Sequence, residues 1–254
     1  MRILLTNDDG IMAQGIRTIA RCLSKEHEVQ VVAPEVERSA TGHAITIRTP
    51  LWAKEVKLGE EEIGYAVNGT PADCVKLGLL AMTEGKIDLV ISGINRGPNL
   101  GTDVLYSGTV SGALEGAVTG IPSIAISAEN FNEPYFETAA NFMIEFLRRF
   151  DISEIPELTA LNINVPSVPL HEIKGWKVTR QSKRRYKSDF ERRKDPYGND
   201  YYWLIGEYIE DDPGNDSDYA AVSKKCVSIT PIYVLMQNND YMEVLRKKIE
   251  EVNQ

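Results

Sequence analysis

The 254-residue chain has few cysteines and few histidines, and this scarcity excludes several classes of protein. Its three cysteines, Cys22, Cys74 and Cys226, are far apart and form no CxxC pair. An odd number of separated cysteines argues against a disulfide scaffold and against a thiolate zinc site. We therefore expect reduced thiols and a cytoplasmic location.

Long hydrophobic runs and excess positive charge are also missing. Only Ile3, Leu4 and Leu5 precede the polar segment 6–9, which is too short for the apolar core of a signal peptide. No later run has the length of a membrane helix. With 28 Lys and Arg against 37 Asp and Glu, the net charge is -9. This balance disfavours broad electrostatic binding to nucleic acids or to anionic membranes.

Short apolar runs alternate with amphipathic stretches through the first two thirds of the chain. This alternation is typical of β-α units and predicts an α/β fold with a mostly parallel sheet. Thr70 and Pro71 predict a helix start, because Thr caps the first turn and Pro fits its first position. Helices are predicted at 16–23, 70–82, 113–118, 136–150 and 240–252. Strands are predicted at 3–5, 29–33, 44–47, 63–67, 89–92, 124–126 and 161–165, with a hairpin from 44–47 and 63–67.

The character of the chain changes after Pro166. A basic stretch at 174–194 is followed by aromatic residues at 201–203, an acidic segment at 207–218 and a final helix with one apolar face. We assign residues 1–169 to the catalytic core and residues 170–254 to a β-rich C-terminal extension that is not an independent domain. The amphipathic final helix must cover an apolar surface, either on its own core or on a neighbouring subunit.

Polar side chains follow three of the predicted strands, and parallel strands bring such carboxyl-end loops to one edge of a sheet. Asp8 and Asp9 are adjacent, and neighbouring carboxylates raise each other's pKa unless a cation lies between them. With neutral oxygens from Ser39 and Asn95, the set favours a hard ion such as Mg²⁺, Mn²⁺ or Ca²⁺. Taken singly, Asp8 or Asp9 could equally cap the helix that starts near Ala13. The two together favour a metal site.

A glycine-rich segment at 92–116 follows the strand at 89–92. Its glycines allow the backbone to approach a ligand closely, and Ser107, Gly108 and Thr109 open a helix whose amides suit a phosphate. The segment lacks the GK[ST] ending of a P-loop, and no GxGxxG follows the first strand. Glycine-rich segments can also be simple turns. Beside the carboxylates, this segment supplies the second half of a phosphomonoesterase site, an amide cradle next to a metal.

His43 is the one histidine in a predicted site loop. It could donate a proton to a leaving alkoxide, bind phosphate or only hold its loop in place. The basic segment 183–194, with Tyr186 and Phe190 among its Lys and Arg residues, could contact RNA. The acidic remainder of the chain favours a solvated arm instead.

Six sequence blocks occur in order over nearly the whole chain. They are ILLTNDDG at 3–10, APEVERSATGHAIT at 33–46, NGTPADCV at 68–75, residues 92–112, TRQSKRRYKSDFERRKDPYGNDYYW at 179–203 and DYAAVSKKCVSITP at 218–231. Together they resemble the stationary-phase survival protein E (SurE) family of metal-dependent nucleotidases. This resemblance implies a Rossmann-like three-layer sandwich that hydrolyses nucleoside 5'- and 3'-monophosphates.

The resemblance also implies roles for particular residues. One divalent ion, Mg²⁺ or Mn²⁺, would be held by Asp8, Asp9, Ser39 and Asn95. The substrate phosphate would be bound by Asn95, Ser107, Gly108 and Thr109. The family further implies homodimers or homotetramers that exchange C-terminal elements. The segment 35–37, Glu-Val-Glu, departs from the Asn or Asp often found there, and this departure bears on base preference rather than on metal binding.

We expect a phosphomonoesterase in which metal-activated water attacks phosphorus, with Asp8 or Asp9 orienting or deprotonating that water. Attack by an aspartate itself is less favoured, because a carboxylate on a metal is a poorer nucleophile. Other functions explain fewer of these sequence features. They are a non-hydrolytic nucleotide sensor, a broader acid phosphatase or exopolyphosphatase, an RNA-binding protein and a sugar-nucleotide transferase.

Overall fold

Apolar segments form the buried strands of the computed structural model, which describes residues 1–59, 62–212 and 214–252. The runs at 3–5 and 89–91 are fully buried, as expected of parallel strands that are covered on both faces. The described strands are β1 Arg2–Thr6, β2 Glu28–Pro34, β3 Ala53–Lys57, β4 Ile63–Val67, β5 Leu89–Arg96, β6 Ser123–Ala128, β7 Thr159–Val165, β8 Trp176–Val178, β9 Arg185–Lys194, β10 Asp200–Ile209 and β11 Val227–Tyr233.

Nine of the described strands form one sheet in the order β3-β4-β2-β1-β5-β6-β7-β11-β8. The neighbours from β4 to β7 all run parallel. Antiparallel pairs occur where β3 meets β4 and where β11 meets β7. Strands β9 and β10 pair with each other in a separate antiparallel hairpin. The predicted α/β fold with a mostly parallel sheet is therefore confirmed.

Helices cover both faces of this sheet. Alternate residues of β1 point to opposite faces, so Ile3 and Leu5 pack into one hydrophobic cluster and Leu4 into another. The first cluster contains residues of α1 and α4, and the second contains residues of α2. The result is a three-layer α/β/α arrangement. The described helices are α1 Gln14–Leu23, α2 Pro71–Leu77, α3 Gly108–Val118, α4 Phe136–Arg149, α5 Asp218–Ser223 and α6 Asn239–Val252.

The predicted strand at 44–47 is wrong, and the residue that prevents it is Asp73. Asp73 accepts hydrogen bonds from the backbone N–H and the hydroxyl of Thr46, at 2.8 and 2.6 Å. The Thr70 hydroxyl also donates to the carbonyl of Ala44 at 2.7 Å. Because these backbone groups are already bonded to the start of α2, they are unavailable to a strand ladder. The hairpin partner of β4 is instead β3.

The helix start at Thr70 is confirmed. The Thr70 hydroxyl accepts a hydrogen bond from the Asp73 N–H at 3.1 Å, and the Asp73 carboxylate accepts one from the Thr70 N–H at 2.9 Å. This reciprocal pair is a capping box, which satisfies two N–H groups that the first helical turn would leave unpaired.

Two further differences concern the strands. Strand β5 continues to Arg96, into the segment predicted as a glycine-rich loop. The sheet also continues past the last predicted strand, because β11 and then β8 of the C-terminal extension lie beyond β7. The three cysteines are buried free thiols. Among the described helices none has the length and hydropathy needed to cross a membrane.

Candidate functional site

The connections of the sheet create a crevice between β1 and β5. After β1 the chain crosses to β2 on one side, whereas β5 continues the sheet on the other side. Loops that leave two such strands diverge to opposite faces, and ligands of open α/β sheets bind at this switch point. Asp8 and Asp9 follow β1, and Asn95 is the penultimate residue of β5. The predicted acidic site therefore lies at the switch point.

Asp8 is held by the first turn of α3. Its Oδ1 accepts a hydrogen bond from the Thr109 hydroxyl, and only 4% of its surface is exposed. Gly108 packs so closely that a Cβ atom there would lie 2.7 Å from the Asp8 Cβ and 2.9 Å from its Oδ2. The absence of a side chain at 108 is thus what allows the helix start to approach the carboxylate.

Asp9 contacts the end of β5. Its Oδ2 accepts a hydrogen bond from the backbone N–H of Arg96 at 3.0 Å. Asn95 is 9% exposed and donates its amide N–H to the carbonyl of Gly97 at 2.8 Å, which fixes the side chain. Asp9 and the Asn95 side chain are therefore each hydrogen-bonded to a backbone group at or just beyond the end of β5.

The loop that carries Ser39 is hydrogen-bonded to the segment that follows β1. The Arg38 N–H donates to the backbone carbonyl of Asp8 at 2.7 Å. The Ser39 hydroxyl donates to Glu37 Oε1 at 2.8 Å. Ser39 is therefore one residue from a direct backbone link to Asp8, although its hydroxyl bonds to Glu37.

The electrostatics of the two aspartates fit a bound cation. Burial raises the pKa of Asp8 to about 6, and the neighbouring charge of Asp9 adds to this effect. Burial also raises the pKa of Asp9. Within the described part of the chain, neither carboxylate forms an ion pair with a Lys, Arg or His side chain, although the more distant charge of Arg96 lowers the pKa of Asp9. A divalent ion would supply the missing positive charge, and carboxylate, amide and hydroxyl oxygens suit Mg²⁺ or Mn²⁺.

This donor set is not a cluster of three acidic, histidine or cysteine side chains, and among the described residues no such metal cluster exists. Only two of the four predicted ligands are charged. The other two, Ser39 and Asn95, are neutral oxygen donors, so the set would suit a hard ion that keeps several water ligands.

The start of α3 supplies backbone donors. Ser107 caps this helix, because its hydroxyl accepts a hydrogen bond from the Val110 N–H at 3.0 Å. The N–H groups of a first helical turn have no acceptor within the helix and carry partial positive charge. Those of Gly108 and Thr109 belong to this turn beside Asp8. This part of the site can bind an anion such as a phosphate.

His43 bonds to Glu115 of α3. Its Nε2 lies 2.8 Å from Glu115 Oε2, and Lys76 bonds to the other oxygen of the same carboxylate. The hydrogen bond from His43 and the ion pair with Lys76 lower the pKa of Glu115 despite its burial. The structure thus joins Asp8, Thr109 and Gly108 directly, while His43 bonds to a residue two turns further along α3.

Glu115 is the functional candidate that the sequence analysis missed. It is the only charged residue within α3, whose other positions are small or apolar. A lone charge in such a helix is costly to bury without a partner, so its presence signalled a buried ion pair.

The architecture and the site together define a Rossmann-like α/β protein with a ligand site at the switch point of its sheet. The family described as "Survival protein SurE" matches residues 3–188, which is well over half of the chain. The chain belongs to the SurE family.

Individual relatives agree with this assignment over full length. The chain is 68% identical over 253 residues to a protein of Kosmotoga olearia named "5'-nucleotidase SurE", with all of both chains covered. It is 61% identical over 251 residues to a protein of the same name from Thermosipho melanesiensis, covering 99% of this chain and 98% of the relative. The crystal structure of a SurE protein from Aquifex aeolicus superposes with a TM-score of 0.82 at 42% identity, covering 100% of both chains.

Proposed function

We propose that this protein is a divalent-metal-dependent nucleotidase that hydrolyses nucleoside 5'- and 3'-monophosphates to nucleoside and phosphate in the cytoplasm. The observation that carries the proposal is the direct contact between a buried carboxylate, Asp8, and the first turn of α3. The proposed cation site and the proposed anion site would thus adjoin, as the hydrolysis of a phosphate monoester requires. The name of the relatives, 5'-nucleotidase, supports a nucleotide substrate.

The residues that would hold one Mg²⁺ or Mn²⁺ ion are Asp8, Asp9, Ser39 and Asn95. When bound, such an ion polarises a phosphoryl oxygen and favours the ionisation of water. The Ser39 hydroxyl donates its hydrogen to Glu37, so the lone pairs of its oxygen would remain available to the ion.

The chain's own groups would position the substrate and the attacking water. Backbone N–H groups of Gly108 and Thr109, with the Ser107 hydroxyl and the Asn95 amide, would hold the phosphate oxygens as negative charge redistributes. Asp9 or Asp8 would accept a hydrogen bond from the water and direct it at phosphorus. Direct attack by water is preferred over attack by an aspartate, because a carboxylate engaged with a cation is a weaker nucleophile.

His43 is proposed to donate a proton to the departing alkoxide. Glu115 bonds to its Nε2, which leaves Nδ1 as the nitrogen that would face the alkoxide. A histidine whose one nitrogen is fixed by a carboxylate has a defined tautomer and orientation.

The test is a phosphate-release screen of nucleoside 5'- and 3'-monophosphates across Mg²⁺, Mn²⁺, Ca²⁺ and chelator, with Asp9→Asn as the inactive control. Release that stops with chelator and returns with metal supports the proposal. Binding of nucleotides without any phosphate release would instead identify a nucleotide sensor. Equal release from polyphosphate and simple esters would identify a broader phosphatase.

We further propose that the protein forms a homodimer or homotetramer through its C-terminal extension. Each position of β9 is exposed, and neighbouring β10 presents Tyr202, Trp203 and Leu204 to the surface. No residue of α6 is buried among the described residues, although Val244, Leu245 and Ile249 form an apolar stripe. Exposed apolar surface of this extent marks an interaction site. A monomer in light scattering at micromolar concentration would exclude this assembly.

A further inference from the structure

A cavity of about 310 Å³ opens beside Asp9, on the face of the sheet that carries α1 and α4. Its walls include Arg96 at the end of β5, Gln14 at the start of α1, and Phe131 and Asn132 in the loop that joins β6 to α4. Small-molecule pockets measure roughly 300–1,000 Å³, so this cavity suits one small group and not a polymer. It adjoins the candidate metal site, because Asp9 belongs to both.

The floor of the cavity is closely packed. Gly15 approaches β5 so closely that a Cβ atom there would lie 1.9 Å from the carbonyl oxygen of Ile94. Phe136 at the start of α4 is only 6% exposed. This packing leaves no room for a side chain at position 15.

One wall is an aromatic ring. Phe131 is 52% exposed, and its ring lies directly over Gly97, where a Cβ atom would come within 2.1 Å of it. Gly97 has a φ of +104°, so a glycine is needed there for the backbone as well as for the ring. The Gly97 N–H donates to the carbonyl of Ala128 at 2.9 Å, which fixes the strand end beneath the ring. A half-exposed ring supported on its other side is a stacking platform.

Polar groups surround this ring without being used elsewhere. Among the described residues, the side chains of Gln14, Arg96 and Asn132 take part in no hydrogen bond or ion pair. An amide can both donate to and accept from the edge of a heterocycle, and a guanidinium can donate or stack. An apolar platform with a few free polar groups at its rim is the usual form of a site for a planar polar ligand.

We infer that this cavity binds the nucleoside moiety of the substrate, with the base stacked on Phe131 and its edge facing Gln14 and Asn132. The inference rests on the proposed nucleotidase function. It assigns the cavity that recognises the nucleoside, which is the leaving group of the reaction. Phosphate at the first turn of α3 and a nucleoside beside Asp9 would lie on the two sides of the β1–β5 crevice. Phe131 is then a specificity-determining residue that acts on binding rather than on bond cleavage.

The test compares two variants. Phe131→Leu keeps an apolar side chain but loses the aromatic ring, whereas Phe131→Tyr retains the aromatic ring. Base stacking on an aromatic residue is worth roughly one to two factors of ten in affinity. We expect Phe131→Leu to raise the KM for AMP about tenfold with kcat unchanged. Hydrolysis of ribose 5-phosphate, which has no base, should not change, and Phe131→Tyr should behave as wild type.

A second measurement separates this inference from the proposed function. Calorimetric titration of the metal-free protein with AMP should show the same tenfold loss of affinity in Phe131→Leu, whether or not phosphate is released. Equal effects on AMP and ribose 5-phosphate, or no effect on either, would overturn the inference. It would also be overturned if Tyr106→Leu, which alters the exposed ring beside Ser107, produced the base-specific loss instead. If the wild type binds AMP through Phe131 but releases no phosphate, only the proposed function fails.

Discussion

The Thr109 hydroxyl donates a hydrogen bond to Oδ1 of Asp8, and this single contact joins residues that are 101 positions apart in the chain. It fixes the rotamer of a buried carboxylate relative to the helix start that would bind phosphate. It also lowers the pKa of Asp8, in opposition to the larger effect of burial.

Replacing Thr109 with Val removes this hydrogen bond and keeps the side-chain volume. A hydrogen bond to a charged group contributes about 1.5–3 kcal/mol, so we expect kcat/KM to fall roughly 10- to 100-fold. Thr109→Ser restores the hydroxyl and should retain most of the activity. Steady-state phosphate release from AMP measures both. Wild-type kinetics in Thr109→Val would show that the contact does not position Asp8 for the reaction.

Asp8→Asn and Asp9→Asn should each reduce phosphate release by several orders of magnitude, because each removes a charged ligand of the proposed metal. The circular dichroism spectrum should not change, since neither side chain contributes to a hydrophobic cluster. Mn²⁺ should raise the melting temperature of the wild type and not of these variants. An undiminished rate in either variant would remove that residue from the mechanism.

In the metal-free protein, the contribution of Asp8 to stability should fall as the pH rises from about 4 to about 6. Burial raises the folded-state pKa of Asp8 from 3.8 to about 6, so in this interval the folded state retains a proton that the unfolded state has lost. Asp8 should therefore contribute a decrease of about 3 kcal/mol to the free energy of unfolding, and this decrease should persist above pH 6. Asp8→Asn should abolish most of this decrease. Urea unfolding in chelator across this range provides the measurement, and parallel curves for the two proteins would contradict the expectation.

His43→Ala should slow the hydrolysis of AMP, whose alkoxide leaving group needs a proton, more than that of p-nitrophenyl phosphate, whose leaving group does not. Lys76→Met is the matched control, because it removes the other partner of Glu115 and leaves the His43 contact in place. A loss in His43→Ala that is equal for both substrates would instead assign His43 to holding its loop.

Local signals in the sequence predicted the sheet well and predicted one segment wrongly. The strand at 3–5 and the helix start at Thr70 depend on neighbouring residues, so apolar patterning and capping residues were sufficient. The segment 44–47 has the composition of a strand, but its hydrogen bonds go to Asp73, 27 residues away from Thr46. Composition does not reveal such a tertiary partner.

The candidate site was also predictable only in part. Parallel topology alone brings the loops after β1 and β5 together, so the proximity of Asp9 to the end of β5 followed from the strand assignments. The contacts of Asp8 with Thr109 and of His43 with Glu115 span 101 and 72 positions. They depend on the packing of α3 against the sheet, which no local pattern encodes.

The position of β11 between β7 and β8 has a consequence for synthesis of the protein. Strand β11 lies at residues 227–233, so the ribosome must release all of the residues that precede and form it before β7 gains its outer neighbour. Until then the nascent chain presents an open strand edge, which readily pairs with other chains. Messages truncated shortly before this point should therefore yield insoluble polypeptide, even though every residue of the candidate site has already been translated.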